Sequence, residues 1–157
     1  MIKKNALKFR LAEFEELELI AEMDSKVNLT SWNQIQYLSC FNDESQYLYV
    51  LEIKDIGIIG AIAFSIVMME ADILQIWVKR DYQNQGYGKI ILKHILNLLE
   101  KRLIKSVFLE VRENNKSAII FYTKFGFQLI GTRKNYYKVG NDYFDALLMR
   151  LELNNEK

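Results

Sequence analysis

A short polar loop with two glycines is the part of this chain best suited to bind a phosphate group. It follows an apolar stretch at residues 73–78 and precedes a strongly periodic stretch, so it is predicted to join a strand to a helix. A helix start presents unpaired backbone N–H groups, and glycine lets a phosphate come close to them. The candidate pyrophosphate site is the loop Gln83-Asn84-Gln85-Gly86-Tyr87-Gly88-Lys89.

Two common glycine motifs do not fit this loop. A P-loop reads G-x-x-x-x-G-K-[ST], and no glycine stands where the motif needs its first one before Gly88-Lys89. The dinucleotide fingerprint needs a third glycine at position 91, which is Ile91. Ordinary turn glycines remain an alternative at this point.

Glu110 is a candidate functional residue. It interrupts the apolar strand VFLEV, and strand alternation places it on the same face as Ser106 and Phe108. A carboxylate on such a face is costly unless it has a partner or a function. An ion pair with Arg112 or a neighbouring lysine is the structural alternative.

Tyr122 is a second candidate functional residue, although its position alone would also suit a core residue. It lies one helical turn after Ala118 and shares a helix face with Phe121 and Phe125. Asn115 precedes this helix and is a plausible N-cap.

The chain has few histidine or cysteine side chains for catalysis or metal binding. His94 is the only histidine, which excludes a histidine triad and a multi-histidine metal site, so no metal is expected. Cys40 is the only cysteine and lies far along the chain from every candidate above, which disfavours covalent catalysis by a cysteine nucleophile.

The bulk composition limits the partners. Twenty-one Lys and Arg face twenty Asp and Glu in 157 residues, so no global charge draws the chain to nucleic acid or to an anionic membrane. The longest apolar run falls short of a membrane span, and we expect a cytoplasmic protein.

The hydrophobic pattern predicts one mixed α/β domain over residues 1–157. Strands are predicted at 7–11, 45–54, 58–69, 73–78, 105–111, 127–139 and 142–151. Helices are predicted at 12–24, from an N-cap at Thr30 or Ser31 to 41, after the glycine loop, and from 114–115 to Gly126. The third helix should bury one apolar sector, formed by Ile91, Leu92, Ile95, Leu96, Leu98, Leu99 and Leu103.

The glycine loop resembles the Q/R-x-x-G-x-G/A motif of the GNAT superfamily of N-acetyltransferases, which Gln83, Gly86 and Gly88 match. Residues 107–115, FYTKFGF and RKNYY…DALLMRL resemble its ribosomal-protein-alanine N-acetyltransferase (RimI-type) branch. That branch often has a proline after the coenzyme strand, where this chain has Lys79-Arg80. The resemblance implies a mostly antiparallel twisted sheet, splayed at the acetyl-CoA site and flanked by about four helices.

The resemblance also implies the site residues. Acetyl-CoA is the cosubstrate: the loop amides of Asn84, Gln85, Gly86, Tyr87, Gly88 and Lys89 would bind its pyrophosphate. The strand residues Ile76, Trp77 and Val78 would pair with its pantetheine arm, and a backbone N–H near Val78 would steady the thioester oxygen. Asn115 would also bind the coenzyme.

The same resemblance assigns the chemical roles. Glu110 would accept the proton of the acceptor ammonium, and Tyr122 would protonate the departing thiolate. Tyr136 and Tyr137 would line the acceptor end, with cross-strand packing as the alternative.

The function implied is direct transfer, in a ternary complex, to the N-terminal alanine α-amine of a small-subunit ribosomal protein. One alternative is an enzyme that acetylates a small-molecule amine or a lysine side chain. A second is a coenzyme-binding regulator without catalysis.

Overall fold

A seven-stranded sheet lies between two layers of helices in the computed structural model, which describes residues 6–154. The strand order is β1-β2-β3-β4-β5-β7-β6. The strands are β1 (Leu7–Leu11), β2 (Gln46–Ile53), β3 (Gly57–Val67), β4 (Glu70–Val78), β5 (Ser106–Arg112), β6 (Gln128–Val139) and β7 (Asp142–Glu152). The helices are α1 (Leu17–Ser25), α2 (Gln34–Asn42), α3 (Tyr87–Lys101) and α4 (Lys116–Lys124).

Neighbouring strands in the sheet run antiparallel with one exception. Strands β4 and β5 are parallel, and α3 makes the crossover between them. A parallel pair needs such a long connection, because a tight turn joins only antiparallel strands. The predicted fold class, a mixed α/β chain with a mostly antiparallel sheet, is confirmed.

Each face of the sheet has its own apolar core. Alternating side chains of β3 divide between the two: Ile62 and Phe64 join the core under α3 and α4, and Ala61 and Ala63 join the core under α1 and α2. This alternation follows from the two-residue period of a strand. The site is therefore positioned by a sheet whose two faces are both covered.

Helix α3 buries the predicted sector almost completely. Ile91, Leu92, Ile95 and Leu99 are inaccessible to solvent. The prediction is wrong for Leu103, which is 66% exposed. The helix ends at Lys101, and Leu103 adopts a left-handed φ of 60° in the turn that follows, so it leaves the helical sector.

The first two helices begin later than predicted. A 3-10 turn occupies Phe14–Glu16, capped by reciprocal hydrogen bonds between Glu13 and Glu16, and α1 starts only at Leu17. Phe14, in this turn, is 58% exposed. Helix α2 is capped by Asn33, whose side chain accepts the N–H of Gln36, instead of by Thr30 or Ser31.

No helix within residues 6–154 has both the length and the apolar character needed to cross a membrane.

Candidate active site

The sheet opens between its two parallel strands. Pairing of β4 with β5 stops at Ile73 and Leu109. Strand β4 continues to Val78, paired with β3, and β5 continues to Arg112, paired with β7. The two strands therefore diverge, each held by its outer neighbour, and leave a wedge between them.

A cleft of about 510 Å³ fills this wedge. One wall comes from β4 and the connection between α1 and α2, and the other from β5, α4 and β6. Because α4 lies on one face of the sheet and the α1–α2 connection on the other, the cleft passes through the opening. Its polar lining residues include Asn28, Thr30, Asp72, Gln75, Glu110, Arg112, Asn115, Tyr122, Arg133, Tyr136 and Tyr137.

The glycine loop adopts a conformation that suits an anion. Gly86 caps α3 with a left-handed φ of 87°, and a Cβ built there would meet no atom within 4 Å. The side chain of Gln83 folds back and donates to the Val78 carbonyl at 2.9 Å, and Gln85 donates to the Asp81 carbonyl at 2.9 Å. The open backbone at a helix start fits a phosphate group.

The loop also lies beside the end of β4 and beside α4. A Cβ at Gly88 would lie 3.7 Å from Cζ of Phe121 and 3.9 Å from Cγ2 of Val78. The rings of Tyr87 and Trp77 belong to the two apolar cores, so only their backbone groups can serve a ligand. Ile76 and Asn115 line the cleft, whereas the loop lies outside it.

Glu110 projects from β5 into the cleft. Its neighbours Leu109 and Val111 point into the core, and Glu110 keeps 27% of its side chain exposed. Arg133 of β6 forms an ion pair with it, Nε to Oε1 at 3.2 Å. The ion pair considered as an alternative exists, but its partner is Arg133 instead of Arg112 or a lysine.

Tyr122 lies on the buried face of α4 and lines the same cleft, only 6% exposed. Its ring packs edge-on against Phe121 and Phe127. Burial raises the pKa of the Tyr122 hydroxyl well above the usual value near 10. The group therefore keeps its proton at neutral pH, as an acid must.

Tyr136 and Tyr137 reach the cleft from an irregular part of β6. The ladder with β7 is interrupted between Arg133 and Tyr137, and Asn135 has a left-handed φ of 52°. The charge of Glu110 raises the pKa of Tyr136, and burial raises that of Tyr137 to about 12, with Glu110 contributing. The predicted acceptor residues thus gather around Glu110. Tyr137 also faces Phe144 across the ladder, so cross-strand packing coexists with this placement.

Asn115 has the local role expected of it. Its side chain accepts the Ala118 N–H at 3.3 Å and caps α4. The helix ends at Lys124, and Gly126 follows with a φ of 99°.

Two residues, one in the cleft and one beside it, were not predicted from the sequence. Arg133 meets Glu110 only through the pairing of β6 with β7 and β7 with β5, which no local pattern reveals. Asp24 is a carboxylate with no solvent exposure, four and seven residues after the buried Ile20 and Leu17. An acid on the apolar stripe of a helix is the signal that could have identified it.

The histidine and the cysteine lie away from the cleft. His94 is on the exposed face of α3 and stacks on Phe9, with ring centroids 5.0 Å apart. Cys40 is half-buried on α2, and burial raises the pKa of its thiol to about 11. Among the described residues, no three His, Cys, Asp or Glu side chains are arranged to hold a metal ion.

Comparison with known proteins identifies relatives over most of the chain. The [ribosomal protein bS18]-alanine N-acetyltransferase of Escherichia coli K12 is 32% identical over 142 residues, covering 90% of this chain and 94% of that protein. The N-alpha-acetyltransferase 50 of Danio rerio is 34% identical over 68% of this chain and 70% of its own length. The crystal structure of the Escherichia coli ribosomal-protein-S18-alanine N-acetyltransferase superposes with a TM-score of 0.86 and 28% identity, covering 93% of each chain.

The sequence profile of the Acetyltransferase (GNAT) family matches residues 9–127, which contain the open strand pair, the glycine loop, Glu110 and Tyr122. The resemblance expected from the glycine motif is thereby confirmed. The chain belongs to this family and is an acyltransferase that uses acetyl-CoA to acetylate an amine.

Proposed function

We propose that this enzyme acetylates the N-terminal alanine α-amine of a small-subunit ribosomal protein by direct transfer in a ternary complex. The observation that carries the proposal is the 32% identity to an enzyme named for that reaction over 90% of the chain. The single cleft walled by both β4 and β5 supports it, because one opening can receive a coenzyme from the α4 face and an acceptor from the other.

Glu110 is the proposed base. The acceptor ammonium must lose a proton before its nitrogen can attack the thioester carbonyl. Glu110 reaches the cleft and is oriented by Arg133 at 3.2 Å, so its carboxylate can take that proton, directly or through a water molecule.

Tyr122 and the end of β4 complete the proposed reaction. As the N–C bond forms and the C–S bond breaks, Tyr122 gives its proton to the sulfur, which leaves as a thiol. The nitrogen then gives its second proton to the Tyr122 phenolate, directly or through a water molecule, which leaves the neutral amide and restores the tyrosine. A backbone N–H near Val78 would stabilise the oxygen of the tetrahedral intermediate. The proposed coenzyme contacts are the amides of the glycine loop, the edge of β4 at Ile76 and Asn115.

The α-amine is favoured over lysine by simple acid–base chemistry. An α-amine has a pKa near ~7.8 and lysine near ~10.4, so neutralising lysine at pH 7 costs roughly 3.5 kcal/mol more. One carboxylate base, with no histidine in the cleft, is better matched to the smaller cost.

The test offers one peptide with a free alanine N-terminus and an internal lysine, with spermidine in a parallel reaction. Fragmentation mass spectrometry locates the acetyl group after incubation with acetyl-CoA. We expect it on the α-amine. Acetylation of lysine alone, or turnover of spermidine alone, would contradict the proposal, and an N-acetylated copy of the peptide is the control for lysine reactivity.

A further inference from the structure

A buried carboxylate next to the cleft has no place in the mechanism above. Asp24, in the last turn of α1, is fully inaccessible to solvent. None of the ion pairs found within residues 6–154 includes it. A buried carboxylate without a cation is expensive unless its oxygens accept several hydrogen bonds.

Four neutral donors surround Asp24. Oδ2 accepts the Tyr37 hydroxyl at 2.7 Å, the Trp32 backbone N–H at 2.9 Å and the Gln75 side-chain amide at 2.9 Å. Oδ1 accepts the side-chain amide of Asn28. The carboxylate therefore joins three elements: the connection between α1 and α2, helix α2, and strand β4.

Three of these donors belong to the wall of the cleft. Asn28, Trp32 and Gln75 line it, and Gln75 also donates to the Thr30 carbonyl at 3.3 Å. Asp24 and Tyr37 do not line it. The hydrogen bonds to Asp24 thus fix residues 28–32 against β4, on the face of the sheet opposite α4.

Tyr37 extends the same arrangement into the core. Its hydroxyl donates to Asp24 and accepts the indole N–H of Trp77 at 3.0 Å. Trp77 lies on the part of β4 beyond the point where pairing with β5 ends. The position of the wall is therefore coupled to the free portion of β4.

We propose that Asp24 is a positioning residue for the acceptor: its buried carboxylate holds residues 28–32 in place as the acceptor wall of the cleft. The proposal deepens the function proposed above and rests on it for the side from which the acceptor enters. It assigns Asp24 no contact with the acceptor or with acetyl-CoA. Its effect is on acceptor affinity, through residues 28–32.

The test compares Asp24→Asn and Tyr37→Phe with wild type in steady-state kinetics. Asparagine turns an NH₂ group toward partners that already donate, which disrupts the cluster, whereas Tyr37→Phe removes one donor and keeps the ring. We expect Asp24→Asn to raise the KM for the acceptor by ~10-fold or more, and Tyr37→Phe by less. The KM for acetyl-CoA should rise by a clearly smaller factor in both, because the cluster reaches the proposed coenzyme contacts only through side chains of β4, whose backbone stays paired with β3.

Asp43→Asn is the matched control. Asp43 also accepts hydrogen bonds, from Ser45 N and Oγ at 2.9 and 2.7 Å, but it is exposed and outside the cleft. All variants are assayed well below their unfolding midpoints. An unchanged acceptor KM in folded Asp24→Asn, or an equal rise in both KM values, would overturn the proposal. If Asp24→Asn does not fold, Tyr37→Phe decides by the same criterion.

The acceptor used is whichever amine the wild-type enzyme acetylates best in the peptide and spermidine experiment. A wild-type preference for spermidine would refute the proposed function. The Asp24 proposal is judged separately, by the ratio of variant to wild-type KM.

Discussion

Glu110 and Arg133 form an ion pair across three strands, and a substitution of Glu110 must be chosen so that it changes the chemistry and leaves this part of the sheet in place. Glutamine at position 110 keeps the size of the side chain and its position on β5. It cannot accept a proton at neutral pH. The change therefore removes the proposed chemistry with little effect on the walls of the cleft.

For Glu110→Gln we expect turnover to fall by ~10²–10⁴ while acetyl-CoA affinity stays near wild type. Raising the pH should restore part of the rate, because the acceptor amine then deprotonates without help. Stopped-flow or thiol-release assays give the rates, and calorimetry gives the affinity. Glu100→Gln, an exposed site on α3, is the control. Wild-type turnover at neutral pH would rule out Glu110 as the base.

For Tyr122→Phe we expect a large loss of turnover that higher pH does not restore. The ring stays packed, and only the hydroxyl is lost. Because burial raises the pKa of Tyr122 far above its ordinary value, wild type should show no loss of rate from its ionisation up to about pH 10. The pH–rate profile and the unfolding midpoint are measured beside Tyr47→Phe, a half-buried tyrosine outside the cleft. Recovery at alkaline pH would argue against Tyr122 as the acid.

The candidate residues differ in how well the sequence alone predicts them. Glu110 could be predicted because it breaks an apolar strand and matches a family motif. Its partner Arg133 could not, since the contact depends on how β6 and β7 are ordered in the sheet. Asp24 was missed because its helix was predicted from its apolar residues alone.

At the level of elements, the junction of β4 and α3 offers two glycines with different requirements. Gly86 has a left-handed φ, which any side chain would strain by ~1–2 kcal/mol. Gly88 lies in the first turn of α3, where an added Cβ would have ordinary van der Waals space, with Phe121 nearest at 3.7 Å. The two positions should therefore differ in how they tolerate alanine.

We predict that Gly88→Ala leaves the free protein at least as stable as wild type and keeps acetyl-CoA binding. Alanine is favoured over glycine within a helix by up to ~1 kcal/mol, and the motif that this loop resembles accepts either glycine or alanine at this position. Gly86→Ala should lower both stability and binding, because its left-handed φ strains any side chain at the helix start that meets the pyrophosphate. Urea unfolding and calorimetry measure the two effects. Normal coenzyme binding by a folded Gly86→Ala, or a loss in Gly88→Ala as large as that in Gly86→Ala, would contradict this assignment.

Gly60 gives a prediction about how closely β3 and α3 pack. A Cβ there would lie 2.7 Å from Cδ1 of Ile91 and 2.9 Å from the Trp77 carbonyl oxygen. The backbone oxygen cannot move away easily, so Gly60→Ala should lower the free energy of unfolding by ~1–3 kcal/mol. Gly131→Ala is the control, because it is also a strand glycine and its Cβ would come no nearer than 3.4 Å to Cδ1 of Leu148. Equal losses in the two variants would contradict the close approach.

Elements with strong periodicity were predicted well. The observed buried sector of α3 and the observed bounds of β2 are close to the predicted ones. Both elements bury a face whose apolar residues recur at regular intervals. Segments governed by capping were predicted less well. The Glu13–Glu16 box holds a 3-10 turn where the apolar pattern alone suggested continuous helix.

At the scale of the molecule, one cation joins the edge strand to two carboxylates. Arg10 of β1 lies 2.7 Å from Glu16 and 2.9 Å from Glu52 of β2. Hydrogen bonds from Arg10 hold the pKa of both carboxyls below the ordinary value of 4.5. Because these carboxyl pKa values are lower in the folded state than in the unfolded state, the ion pairs stabilise the fold at any pH above the unfolded-state pKa. That stabilisation is lost as the pH falls through the folded-state pKa.

We therefore expect the free energy of unfolding to decrease as pH drops below about 4.5, and Arg10→Met to reduce that dependence. Denaturant titrations at a series of pH values measure it. Lys26→Met is the control, because its ion pair with Glu22 is exposed on both sides and should contribute little. An unchanged pH dependence in Arg10→Met would show that other carboxylates cause the acid sensitivity.

The short parallel contact between β4 and β5 has a dynamic consequence. Four residue pairs are all that join β1–β4 to β5–β7 within the sheet, so amide protons beyond Ile73 and Leu109 should exchange with deuterium faster than those on the opposite edges of the same strands. A coenzyme that bonds along β4 would slow that exchange in residues 74–78 and extend protection across the gap. The coenzyme would then occupy the place of a strand between β4 and β5. Tighter binding would be measured as slower deuterium exchange of the amides that it covers.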